Sequence, residues 1–86
     1  MIPRIKKFTP LKDFILKVAF DDGKIVLYDV KDDVKNIPSY APLTETYRLF
    51  EHARLDSSRT VIFWNKEIDL PSDAIYMRGK EISENS

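Results

Sequence analysis

The chain has no cysteine. Disulfide staples, thiolate metal sites and a cysteine nucleophile are therefore excluded, and the composition suits a reducing compartment. It has only two glycines, Gly23 and Gly79, too few for a phosphate-cradling loop. No zinc-ligand spacing is present either. Charge of one sign is missing too, since 14 basic residues balance 14 acidic ones. A protein that tracks the phosphates of a nucleic acid carries a basic surplus on one face. Here only Arg4, Lys6 and Lys7 cluster, and direct nucleic-acid binding is not expected. No apolar run approaches the ~20 residues a membrane-spanning helix needs. The first residues, MIPRIKKFTP, lack the apolar centre of a signal peptide. The expectation is a soluble, cytoplasmic protein without a cofactor or a metal.

What is there is a set of short apolar segments separated by turn residues. Arg4 to Phe8 reads as a strand ended by Pro10, which cannot donate to a ladder. Phe14 to Phe20 reads as a second, with Phe14, Leu16, Val18 and Phe20 on one face. Asp22-Gly23 fits a two-residue hairpin turn, which pairs Phe20 with Ile25 and Val18 with Leu27. That register places Val26 and Tyr28 on the opposite face and puts Asp29 beside Leu16. A carboxylate there must find donors or sit at the rim, so Asp29 is read as a structural carboxylate.

Lys31 to Pro42 reads as a loop, broken by Pro38 and Pro42. Thr44 caps a short helix whose Leu43, Tyr47 and Phe50 recur at helical spacing. Asp56-Ser57-Ser58-Arg59 turns Arg54-Leu55 into the strand Thr60–Trp64. Ile68-Asp69-Leu70 continues the chain, and Pro71-Ser72-Asp73 opens a terminal helix closed near Gly79. The order is β-β-β-α-β-β-α. This is an α+β fold, mainly an antiparallel sheet with two short helices on one face. Residues 1–79 form the domain, and the polar tail 80–86 is expected to be disordered.

Strands 24–30 and 60–64 are apolar on both faces, and two short helices cover only one. The second face calls for another subunit or for curling of the sheet. The sequence favours a subunit, which makes Val26, Tyr28, Val61 and Phe63 the interface residues of a homodimer or of a complex with a partner protein. The alternative is a small-ligand-binding domain with its pocket between the sheet and the Tyr47/Phe50 helix.

Residues that could carry chemistry have simpler structural readings. His52 is the only histidine, and nothing places Ser57 or Ser58 beside it as a nucleophile. It reads as a helix-end side chain near the negative dipole. Asp21, Asp22, Asp29, Asp32 and Asp33 lack calcium-loop spacing and read as turn chemistry. Trp64, Phe63 and Tyr28 could stack bases, but without a basic groove they read as core and interface. No catalytic residue is assigned.

Several pieces, taken in order and spacing, resemble a known bacterial family. They are Pro3-Arg4-Ile5, Phe20-Asp21-Asp22-Gly23 followed by Tyr28-Asp29-Val30, then Ala41-Pro42-Leu43. Phe50, Arg54-Leu55, Trp64, Ile68-Asp69-Leu70 and the Pro71-to-Tyr76 segment complete the set. The family they resemble is catalogued as domain of unknown function 2442, and the likeness runs to about Tyr76. Its members look like small standalone proteins; some resemble this domain joined to a helix-turn-helix domain. Others sit beside a second small protein in pairings that resemble toxin–antitoxin arrangements. The resemblance implies a regulatory or partner-binding role and supplies no catalytic residues. Where that family usually has W-P-N-G, this chain has Trp64-Asn65-Lys66-Glu67, so that turn needs another geometry.

Overall fold

The computed structural model describes residues 2–46 and 48–82. Tyr47, expected on a helix face, and the last four residues of the expected tail lie outside the described residues. In chain order the elements are β1 (Ile5–Leu11), β2 (Ile15–Phe20), β3 (Ile25–Asp29), α1 (Lys31–Asn36) and α2 (Pro42–Glu45). They continue with β4 (Arg54–Leu55), β5 (Val61–Phe63), β6 (Asp69–Pro71), α3 (Ser72–Arg78) and β7 (Lys80–Ile82). Short 3-10 turns fill Lys12–Phe14, Pro38–Tyr40 and Leu49–His52. The strands make two antiparallel sheets, ordered β1-β2-β3-β7 and β4-β5-β6. The class is α+β.

The first hairpin decides which side chains enter the core. Its loop is Asp21-Asp22-Gly23: the Gly23 amide donates to the Phe20 carbonyl at 3.0 Å, and the Phe20 amide to the Lys24 carbonyl at 2.8 Å. Gly23 sits at φ +95°, as expected for a type I turn closed by a left-handed glycine. The three-residue loop shifts the register by one from the two-residue expectation. Val18 faces Val26, Leu16 faces Tyr28 and Ile15 faces Asp29. A one-residue slip turns every side chain of a strand to the other face. Val26 and Tyr28 are therefore buried in this chain's own core, and the expectation that they form an interface is overturned.

The core joins both sheets. Leu16, Val18, Phe20 and Val26 meet Ile62, Trp64, Leu70 and the Ile75 side chain of α3. Curling contributes more than the sequence suggested. At one corner the Ile5 amide donates to the Arg59 carbonyl at 2.8 Å, lacing the two sheets together. Arg59 also grips Asp21 through two bonds of 2.8 Å each. On β5, Ile62 points inward while Val61 and Phe63 stay half-buried on the other side.

Other expectations shift for local reasons. β1 runs through Pro10, which an edge strand tolerates because no ladder donor is needed there. Phe14 belongs to the preceding turn, at φ 60°, and still packs against the core. The expected loop 31–42 contains α1, whose first turn carries Asp32 and Asp33 and whose Lys31 amide is held by the Asp29 carboxylate at 2.9 Å. Thr44 lies inside α2 rather than capping it. Lys80–Ile82, expected to be disordered, pairs with β3 as β7, so the domain extends past Gly79. The altered turn after Trp64 is built by the Asn65 side chain, which accepts the Glu67 and Ile68 amides at 2.8 and 3.0 Å.

Candidate functional site

Two surfaces stand out once the core is assigned. The first is the outer face of the four-stranded sheet, opposite the core. Pairing sets its rows: Lys7–Ala19–Ile25–Ile82, then Thr9–Lys17–Leu27–Lys80, then Leu11–Ile15–Asp29. None of these residues is buried. Ile15, Ala19, Ile25, Leu27 and Ile82 are half-buried, which is the exposure of neighbours shielding one another in a sheet across which none of the described residues is laid. The sequence expected an apolar second face and found the right strand, but the residues on it are Ile25 and Leu27. Lys7, Lys17 and Lys80 lie on this face, and Asp29, the carboxylate among its described residues, is paired with Lys31 Nζ at 3.2 Å. Asp29 is thus at the exposed rim, holding the start of α1.

The second surface is an open groove between residues 2–4, the first hairpin turn and α3. It encloses about 1010 Å³. Phe20 and Tyr76 meet edge to face at its base, 4.9 Å between centroids. The Tyr76 hydroxyl donates to Asp22 Oδ2 at 2.6 Å, and Lys24 Nζ lies 3.9 Å above the Tyr76 ring. The bond from Tyr76 holds the Asp22 carboxyl below its ordinary range, helped by the Lys24 amide. Arg59 does the same for Asp21. The small-ligand reading placed its pocket elsewhere, beside Phe50, and Phe50 is itself core.

The remaining sequence candidates have structural roles or none that groups them. Trp64 donates its Nε1 proton to the Phe50 carbonyl at 2.9 Å and stacks on the Phe50 ring, so it is no open platform for bases. His52 is exposed, in a shallow recess with Pro10, Arg48 and Glu51. Ser58 bonds to Asp56 at 2.7 Å within its turn. Among the described residues no three side chains converge in a way that could hold a metal, and no helix is long and apolar enough to cross a membrane.

Sequence reasoning missed a buried polar cluster. The Tyr28 hydroxyl donates to Asp33 Oδ2 at 2.5 Å, and Tyr40 donates to the Asp69 carbonyl. Burial first, and then the Asp33 carboxylate, push the Tyr28 hydroxyl well above its ordinary value, against a smaller opposing effect of Arg78. Burial pushes Tyr40 up to about 12. Asp33 sits in a charged stretch, and only the α1 periodicity of Val30 and Val34 hinted at an inward face.

Residues 5–81 match the family described as protein of unknown function (DUF2442). No curated protein and no solved structure matches the chain.

Proposed function

We propose, starting from the fact that the chain belongs to the DUF2442 family of proteins of unknown function, that it is a non-catalytic interaction module with a regulatory role. In this reading a second protein docks on the outer face of the four-stranded sheet. The observation that carries it is the row of aliphatic side chains, centred on Ile25 and Leu27, that nothing in the described chain covers. An apolar patch rimmed by polar residues marks an interaction site more often than it marks plain surface.

Charge selects the kind of partner. Lys7 and Lys80 flank the patch, and Asp29, the acid among its described residues, is already paired. A partner surface of aliphatic residues flanked by carboxylates complements this arrangement and is steered towards it. A second copy of the same face brings lysines towards lysines and is disfavoured. A small acidic protein that this module holds and controls, as in an antitoxin-like pair, fits the requirement.

The test is comparative capture from the native host. Wild-type protein, Leu27→Lys and Met77→Glu are used as bait at equal load, and bound proteins are quantified. A partner retained by wild type and Met77→Glu but lost by Leu27→Lys supports the reading. Equal retention by all three, or no enriched protein, overturns it.

A further inference from the structure

We infer that the groove between residues 2–4 and α3 is a contact between two copies of this chain, independent of the sheet face. Four large apolar side chains are exposed among the described residues, and the two most exposed, Met77 at 82% and Ile2 at 60%, both border this groove. A flexible, polarisable methionine is well suited to filling an irregular apolar recess, and here the recess adjoins the side chain that can fill one. A knob beside its own hole is the geometry of an isologous pair: under two-fold symmetry Met77 of each copy enters the other's groove.

The charges agree. Asp21 is taken by Arg59. Asp73 uses one oxygen on the adjacent Ala74 amide at 2.8 Å, and Asp22 and Arg4 lie along the same rim. A rim bearing both signs is complementary to a copy of itself, because Arg4 of one chain meets the acids of the other. The lysine-rich sheet face has no such self-complementarity. A formal net charge of zero also leaves no long-range repulsion between copies.

The chain has no cysteine, so single-cysteine variants report contacts without background. Light scattering of the wild type at tens of micromolar is expected to give twice the chain mass. Met77→Glu is expected to give the single-chain mass with unchanged circular dichroism, because Met77 is almost fully exposed. Leu27→Lys is expected to keep the double mass, which separates this contact from the sheet face. Met77→Cys should cross-link under mild oxidation and Leu27→Cys should not. Arg4→Asp should dissociate the pair, and adding Asp73→Arg should restore it. A wild-type chain of single mass at that concentration overturns the proposal. A double mass that survives Met77→Glu but falls in Leu27→Lys overturns it in favour of the sheet face.

Discussion

Val18 stands directly opposite Val26 across β2 and β3, and that pairing decides which half of β3 is core. It is set by the turn. Gly23 closes the loop at φ +95°, a conformation that an L side chain adopts only at a cost. Gly23→Ala should therefore destabilise the domain by ~1–2 kcal/mol, although open space surrounds the position. Urea denaturation measures it. An unchanged midpoint would mean the hairpin register is held by something other than this turn.

Gly79 is required for a different reason. Its backbone is extended, at φ −67°, so conformation does not demand glycine. Space does: an added Cβ would lie 2.7 Å from the Ile75 carbonyl oxygen and 2.9 Å from the Val26 side chain. Neither neighbour is a free end that can swing away. Gly79→Ala should cost ~1–3 kcal/mol, as overpacking of a core does, and should lower the urea midpoint with the slope unchanged. A neutral result would show that α3 can slide off Val26.

These two glycines also show where the sequence was readable. Both were recognisable as punctuation, one at a hairpin and one at a helix end, and both roles hold. The loop length was not readable, because Asp-Gly is compatible with a two-residue and a three-residue turn. That single ambiguity moved Val26 and Tyr28 from core to surface in the expectation. The helix α1 was hidden because it spans only six residues, less than two turns of periodicity, beside two prolines. β7 was hidden because a strand added to a sheet edge is held by backbone bonds, and Lys80-Glu81-Ile82 carries no apolar alternation. Leu16, Val18 and Phe20 were readable as one face of a strand because their segment alternates, and all three are buried. The groove was not, since Ile2 and Met77 are adjacent only in three dimensions.

Tyr28 and Asp33 form a buried pair whose disruption should be asymmetric. Tyr28→Phe removes the donor to Asp33 Oδ2 and leaves a buried carboxylate oxygen short of a bond. The expected loss is ~1–3 kcal/mol. Replacing both partners, as Tyr28→Phe with Asp33→Leu, should recover part of that loss, because no orphaned charge remains. A double variant less stable than the sum of the single changes would contradict this account.

Tyr40 gives the protein an alkaline limit. In the unfolded chain its hydroxyl ionises near 10.0, and in the fold burial raises it to about 12. Above pH 10 the unfolded state has released a proton that the native state keeps, so rising pH favours unfolding. This contribution is complete below pH 10 and lost as pH rises towards 12. Tyr28 acts in the same direction. Tyr40→Phe should lower stability at neutral pH by removing the bond to the Asp69 carbonyl, yet flatten the alkaline decline. Urea midpoints across alkaline pH, read with tyrosinate absorbance, check both effects. An equally steep decline in Tyr40→Phe would assign the limit to another group.

Lysine substitution at two adjacent positions separates the faces of β3 most sharply. Val26 is fully enclosed in the core, so Val26→Lys buries an unpaired ammonium. An isolated charge in an apolar interior is among the costliest changes a fold can suffer, and more than ~4 kcal/mol is expected, enough to unfold a domain of this size. Leu27 lies one residue on, half-buried on the outer face between Lys17 and Lys80. There a lysine stem can lie along the sheet with its head in water, and Leu27→Lys should change stability by less than ~1 kcal/mol. Thermal melts of the two proteins decide the register directly: a two-residue hairpin loop would reverse their order. The folded Leu27→Lys protein is also the useful one. It carries the same core and the same groove and replaces the aliphatic centre of the sheet face with a charge, so a loss of partner capture in it cannot be blamed on unfolding.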